Sequence, residues 1–166
     1  MIRTLPLIIA FWLMLTVPAV ALAQGSSPSI SGVWKVTAVE TREVLSGKVV
    51  RPFGDMPSGT FIFTPGGQMV GMQYAGNRKA PTSSNPTDAE RAALHSSMSA
   101  YSGRYRVEGK RLLITIEDSS IQSWNGTTRV INVEFDGRKL TGTSEPFKSL
   151  ISGADVVAVL TWERLE

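Results

Sequence analysis

The stretch Gly32-Val33-Trp34 decides the fold of this 166-residue chain, together with Trp162-Glu163-Arg164 near its other end. The first opens a segment of strand-forming residues, and the second closes the last such segment. Between them lie short aromatic and β-branched runs, separated by turns rich in glycine, proline and asparagine, which is typical of an all-β domain. A chain that begins and ends in this way is predicted to close a small β-barrel on itself, and such a barrel has an interior.

Eight strands are predicted, and short turns join most of them. They are Gly32–Glu40, Gly59–Thr64, Gln68–Tyr74, Tyr101–Val107, Leu112–Asp118, Thr127–Phe135, Leu140–Ser144 and Asp155–Arg164. The strongest local pattern is the hairpin around Pro65-Gly66-Gly67. Regular spacing of short strands favours an antiparallel up-and-down meander, and closure of eight strands removes the exposed edges. The predicted fold is therefore a single eight-stranded antiparallel up-and-down barrel.

One short helix interrupts the strands. Thr87-Asp88-Ala89-Glu90 has the form of a capping box, with a hydroxyl at the N-cap and a carboxylate three residues later. The helix is predicted to run through Ser99 and, because it is only weakly amphipathic, to lie as a lid or plug against one end of the barrel. The stretch from Thr41 to Ser58 carries two glycines and two prolines and is predicted to be a loop.

The N-terminus has the organisation of a cleavable signal peptide spanning residues 1–23. Arg3 provides the positive charge, the stretch from Leu5 to Val20 is apolar, and Ala21-Leu22-Ala23 has the form of a signal-peptidase site. The apolar run is shorter than a membrane span, although a retained anchor is the alternative. We expect cleavage before Gln24, a flexible leader at 24–30, a domain at 31–166, and a periplasmic or secreted protein without stable membrane insertion.

Composition narrows the classes of protein and partner. The chain contains no cysteine, so it has no disulfide, and no cysteine is available to carry the lipid of a lipoprotein. The net charge is +3 and the basic residues are scattered, which does not favour a nucleic-acid partner. His95 is the single histidine and has no metal ligands at suitable spacing, so no metal or cofactor is predicted.

Several motifs together resemble a known family. Gly32-Val33-Trp34 resembles the Gly-x-Trp of the lipocalin or calycin superfamily. In combination with the segment Tyr101-Ser102-Gly103-Arg104-Tyr105, the hairpin from Gly59 to Gly67 and the terminal Trp162-Glu163-Arg164, it resembles the bacterial and fungal lipocalin-like domain family. The resemblance covers nearly all of the chain after residue 23. It implies an eight-stranded barrel with a small-molecule cavity, and it implies no particular reaction.

Strand alternation suggests which side chains line a ligand site. The expected aromatic wall consists of Trp34, Phe61, Phe63, Tyr101 and Tyr105. Arg129 continues the apolar face of its strand and is expected to anchor a carboxylate or carbonyl of the ligand, while Glu40 continues the face of Trp34. The alternatives are that both charges lie at the rim in water, or that Arg129 packs over a tryptophan as a structural cap.

No catalytic signature is present, and the catalytic residues, if any, are unknown. Tyr101, Tyr105 or His95 could move a proton, but the sequence places no base beside the tyrosines. The chain contains no Gly-x-Ser-x-Gly nucleophile motif. We therefore interpret the protein as an exported binder of a small hydrophobic or amphipathic molecule in the barrel interior. One alternative is an isomerase- or cyclase-type enzyme using the same cavity, and another is a filled barrel that serves as an envelope protein-interaction module.

Overall fold

The computed structural model describes residues 29–149 and 152–166. The predicted signal peptide 1–23 and all but the end of the leader 24–30 lie outside these residues. The described elements, in chain order, are β1 (Gly32–Glu43), β2 (Val49–Val50), β3 (Ser58–Phe63), β4 (Gln68–Tyr74), α1 (Asp88–Ser96), β5 (Met98–Glu108), β6 (Arg111–Ser119), a 3-10 turn (Gln122–Trp124), β7 (Thr128–Phe135), β8 (Lys139–Ser144), β9 (Phe147–Lys148) and β10 (Asp155–Arg164).

The strands close into an antiparallel barrel. Its eight strands follow the order β1-β3-β4-β5-β6-β7-β8-β10, and β10 pairs back with β1 from Trp34–Arg164 to Glu43–Val156. The predicted eight-stranded up-and-down barrel is confirmed. The two-residue strands β2 and β9 add to the edges of β1 and β10. β2 lies in the stretch that is predicted as a loop, and β9 lies between two predicted strands. Two residues are too few to show a strand period, so the sequence predicts neither of them.

The two ends of the barrel differ. At one end, which we call the closed end, lie the short turns at 64–67, 109–110 and 136–138 together with residues 29–32 and 164–166. Here Trp34 Nε1 donates to the carbonyl of Ile30 at 2.8 Å, and Val33 N donates to the carbonyl of Glu166 at 3.3 Å. The opposite end, which we call the loop end, carries the longer connections, including those with α1 and the 3-10 turn.

A β-bulge changes the phase of β1. The register with β10 shifts between Val36 and Ala38, so Thr37 is the extra residue. Val39 is therefore buried, at 4% exposure, whereas Glu40 leaves the face that Trp34 begins. The predicted alternation along this strand is wrong beyond Val36.

The interior of the barrel is filled by its own side chains. Phe61 packs edge-on against Trp162 and Tyr101, with ring centroids 5.5 Å and 5.7 Å away. Glycines lie where these rings need space: a Cβ at Gly71 would overlap the ring of Phe61, and one at Gly142 would lie 3.0 Å from Trp162 Cζ3. Two cavities, of about 500 Å³ and 230 Å³, lie outside the barrel, beside α1 and on the outer face of β7 and β8.

The helix α1 begins as predicted and ends earlier. Thr87 is its N-cap, and the reciprocal hydrogen bonds of the capping box with Glu90 are both present. The predicted extension to Ser99 is wrong, because Ser97 caps the helix and β5 begins at Met98. No residue of α1 is buried, so of the two predicted roles, lid or plug, the plug is wrong. Within residues 29–149 and 152–166, no helix has the length and apolar character needed to cross a membrane.

Candidate ligand site at the loop end

Four side chains from separate elements meet at the loop end, and we call them the Arg129 cluster: Tyr101 of β5, Trp124 of the 3-10 turn, Arg129 of β7 and Phe147 of β9. Arg129 Cζ lies 4.8 Å from the ring centroid of Trp124 and 5.6 Å from that of Phe147. The ring of Tyr101 meets that of Trp124 edge-on, with centroids 5.9 Å apart. The cluster thus combines three aromatic surfaces with one cation.

The turn between β6 and β7 fixes the position of Trp124. The amide of Trp124 donates to the carbonyl of Ile121, and the amide and hydroxyl of Thr127 both donate to the carbonyl of Trp124. Gly126 has a φ of 76°, and its amide donates to the carbonyl of Ile116. The turn predicted at Trp124-Asn125-Gly126 is therefore present, and it folds back on β6 so that the indole reaches Tyr101.

Arg129 is partly buried and lacks an acceptor. It pairs in register with Ile114, which is 1% exposed. Among the described residues, no carboxylate or carbonyl oxygen accepts a hydrogen bond from the guanidinium, and no acidic group forms an ion pair with it. Burial lowers the pKa of Arg129 from its usual value, yet arginine remains cationic at neutral pH. The site therefore has a positive charge that no described residue neutralises.

Tyr101 provides a neutral phenol beside this cation. Burial raises the pKa of Tyr101, and the positive charge of Arg129 opposes part of that rise. The hydroxyl forms no hydrogen bond within the part of the chain that the structure describes. At neutral pH it is a free donor.

Two further polar oxygens at the loop end are buried without partners. Gln73 is 6% exposed and donates through Nε2 to Ser99 Oγ at 3.1 Å, but its Oε1 has no partner in the described chain. Asn125 Oδ1, next to Trp124, is buried without a partner in the same way. Buried polar atoms are nearly always hydrogen-bonded, so these oxygens mark places where a donor is missing.

The structure brings together only some of the side chains that the sequence suggested. Tyr101 and Arg129 are neighbours at the loop end, and Phe61 contacts Tyr101 from the core. Glu40 lies outside the barrel core and accepts two hydrogen bonds from Arg51, at 2.9 Å and 3.0 Å.

The other predicted wall residues lie at the closed end. Trp34 is fully buried there, and Phe63 packs on Tyr105 with ring centroids 5.1 Å apart. The hydroxyl of Tyr105 donates to the carbonyl of Thr64 at 2.7 Å, so it is already satisfied. These residues belong to the packed core and are not part of the Arg129 cluster.

Sequence reasoning missed Trp124, Phe147 and Gln73 as site residues. Trp124 was treated only as part of a turn, and Phe147 lies in a two-residue strand with no period. Gln73 shares the buried face of its strand with Met69 and Gly71, so strand alternation could have identified it.

The arrangement is suited to binding. Aromatic faces bury the apolar part of a ligand, and an unpaired cation selects for negative charge. His95 is exposed on α1, and no group of metal-ligating side chains is found in residues 29–149 and 152–166. In the described chain, neither Tyr101 nor Tyr105 forms a hydrogen bond with a histidine or a carboxylate.

Comparison with known proteins agrees with the fold. A family model described as a lipocalin-like domain matches residues 31–165. An uncharacterized protein from Bacteroides eggerthii DSM 20697 is similar in structure, with 15% sequence identity, a TM-score of 0.39, and coverage of 81% of this chain and 98% of that chain. No curated protein matches the chain. Since the family model spans almost the entire barrel, the chain belongs to the lipocalin-like domain family.

Proposed function

We propose that this protein is exported and binds a small hydrophobic or amphipathic molecule at the loop end of its barrel. The observation that supports this proposal is the Arg129 cluster, in which Tyr101, Trp124 and Phe147 surround a cation that no described residue neutralises. The lipocalin-like family supports the same class of function, because its barrel is a ligand-binding type of fold.

The filled core determines where the ligand binds. Phe61 and Trp162 occupy the space beside Gly71 and Gly142, so this part of the barrel interior is taken up by the protein's own side chains. The ligand therefore rests on the aromatic surfaces of the Arg129 cluster. The sequence, in contrast, predicts a ligand in the barrel interior. Apolar area buried there contributes about 25 cal/mol per Å².

The proposed location rests on the N-terminal sequence. Arg3, the apolar stretch from Leu5 to Val20 and Ala21-Leu22-Ala23 form a signal peptide by composition. Edman sequencing of the protein recovered from the cell envelope tests this part. A first residue of Gln24 supports export, and an intact N-terminus contradicts cleavage.

Native mass spectrometry of the protein purified from its own envelope extract tests binding directly. We expect a small molecule that co-purifies with the wild type and is lost on Trp124→Ala. Tyr74→Ala is the matched control, because Tyr74 also lies under an arginine, with Arg78 Cζ 4.8 Å from its ring, but on the outer surface. An unliganded mass, together with no thermal shift across a panel of lipids and aromatic metabolites, would contradict the proposal.

The filled interior also supports a second candidate, an envelope protein-interaction module. Leu45 is 99% exposed and Met56 is 81% exposed, both in the connection between β1 and β3. Cross-linking in the envelope separates the two candidates. A cross-linked protein partner that is lost on Leu45→Ser, without any bound small molecule, would favour the module.

A further inference from the structure

The barrel contains two arginines that lie over pairs of aromatic rings, one at each end. At the closed end, Arg164 Cζ lies 4.4 Å from the ring centroid of Trp34 and 5.4 Å from that of Phe135. At the loop end, Arg129 has the corresponding distances of 4.8 Å and 5.6 Å to its two rings. The two arginines therefore have nearly the same aromatic environment, and their other contacts can be compared directly.

Their hydrogen bonds differ completely. Arg164 donates to four carbonyl oxygens, those of Ser29 and Ser31 at 2.7 Å, Glu166 at 3.2 Å and Gly137 at 3.3 Å. Arg129 donates to none of the described residues. A guanidinium has five N–H donors, and a partly buried cation without acceptors is unfavourable. Arg164 is thus a structural cap, whereas Arg129 donates to no described residue and keeps its N–H donors available to solvent or to an anion.

The packed residues beneath the Arg129 cluster limit the size of a ligand that supplies an anion to Arg129. Tyr101 rests on Phe61, which packs on Trp162 deeper in the core. The neighbouring Ile114 and Ile116 are each 1% exposed. A long alkyl chain therefore cannot extend into the barrel as it could in a hollow one.

Resting on the function proposed above, we infer that the ligand is an amphipathic carboxylate with a short apolar body. Its carboxylate pairs with Arg129, and its body packs on Tyr101, Trp124 and Phe147.

Geometry favours a carboxylate for this role. The planar guanidinium presents parallel N–H donors that match two carboxylate oxygens, and such bidentate pairs are stronger than neutral hydrogen bonds. The hydroxyl of Tyr101 forms no hydrogen bond with the described residues and is close enough to Arg129 to feel its charge, so it provides a neutral donor near the cation. No described acidic side chain forms an ion pair or a hydrogen bond with Arg129, so an incoming anion displaces no described carboxylate from it.

Isothermal titration calorimetry of the purified protein with two isosteric probes tests the inference. The probes are 2-naphthoate, which is anionic, and 2-naphthamide, which is neutral. We expect the wild type to bind 2-naphthoate at least about tenfold more tightly, since a charge-assisted pair contributes that much. Arg129→Gln should abolish this preference. Arg104→Gln, which removes an exposed arginine paired with Glu117 at 3.1 Å, should keep it.

If Arg129→Gln fails to fold, the salt dependence of binding to the wild type still tests the inference. The affinity of the wild type for 2-naphthoate should fall as the salt concentration is raised, while its affinity for 2-naphthamide should not. Equal binding of both probes, lost on Trp124→Ala, would overturn the carboxylate and leave the proposed function intact. Failure of both probes to bind at millimolar concentration would overturn the inference, and the co-purification experiment then decides the proposed function separately. Palmitate binding more tightly than 2-naphthoate would overturn the short body.

Discussion

The guanidinium of Arg164 lies over the indole of Trp34, with Cζ 4.4 Å from the ring centroid, and joins the first strand of the barrel to the last. The indole in turn donates to the carbonyl of Ile30, so the residues that precede β1 are held by the same two side chains. This pair explains why a Gly-x-Trp near one end of the chain and a Trp-x-Arg near the other belong to a single closed fold.

Arg164→Ala should lower the free energy of unfolding by about 3 kcal/mol, because four carbonyls lose a charged donor and Trp34 loses its cover. Urea denaturation measures the effect. Arg106→Ala is the control, since Arg106 forms an exposed pair with Glu108 at 2.7 Å and should change stability by less than about 0.5 kcal/mol. Equal stabilities for the two variants would contradict the role given to Arg164.

The filled core is tested by adding a single methyl group. Gly71→Ala should destabilise the protein by about 2 kcal/mol, because its Cβ would overlap the ring of Phe61. Gly66→Ala should be nearly neutral, because the nearest atom to its Cβ is Thr64 Oγ1 at 3.9 Å. Thermal unfolding compares the stabilities of the two variants. Because leucine is smaller than phenylalanine, adding Phe61→Leu should restore part of the stability that Gly71→Ala loses. A neutral Gly71→Ala would mean that the barrel has room inside.

Much of the fold could be predicted because it is local in sequence. The hairpin at Pro65-Gly66-Gly67 carries its own turn residues, and the amide of Gly67 donates to the carbonyl of Thr64 as such a turn requires. The capping box of Thr87 and Glu90 also lies within four residues. Alternation of apolar residues then gives the inward faces wherever a strand remains regular.

The remaining features depend on contacts between distant segments. A bulge at Thr37 changes the facing of Glu40 without leaving a trace in composition, since strand period alone carries no signal for an extra residue. Whether the barrel is hollow depends on Phe61 meeting Gly71 across a strand pair. The Arg129 cluster is built from four separate elements, so Trp124 and Phe147 can be recognised as members only in the folded chain.

The two buried tryptophans provide a matched comparison. Trp34 and Trp162 are 0% and 1% exposed, but only Trp34 Nε1 has an acceptor, the carbonyl of Ile30, whereas Trp162 Nε1 has none among the described residues. Trp34→Phe should therefore cost about 1 kcal/mol more than Trp162→Phe, because the second substitution also removes an unsatisfied donor. Guanidinium denaturation gives the order, and a larger loss for Trp162→Phe would contradict it.

Acid should loosen the N-terminus of α1. Hydrogen bonds from Thr82 and Thr87 lower the pKa of Glu90 from 4.5 to about 2. A carboxyl whose pKa is depressed in the folded protein stabilises it above the unfolded value, and that stabilisation is lost as the pH falls from about 4.5 towards 2. Amide exchange at Thr82 and Thr87, followed by NMR, should accelerate over this range. Glu90→Gln should exchange at a rate independent of pH after correction for intrinsic rates, and a Glu90 titration near 4.5 would refute the prediction.

High pH should destabilise the folded protein through Tyr101. Burial raises the pKa of its phenol above the ordinary value of 10, so the folded protein keeps Tyr101 neutral at a pH where the unfolded chain ionises it. The unfolded state then binds fewer protons, and the contribution of Tyr101 to stability is present below about pH 10 and is lost as the pH rises further. Tyrosinate absorbance at 295 nm should show a component that ionises late, and Tyr101→Phe should remove that component. The matched variant Tyr74→Phe should leave the late component in place.

If an anionic ligand occupies Arg129, the pKa of Tyr101 should rise further, because the ligand neutralises the charge that now opposes the shift. A late component that survives Tyr101→Phe would contradict the burial of this phenol and its coupling to Arg129.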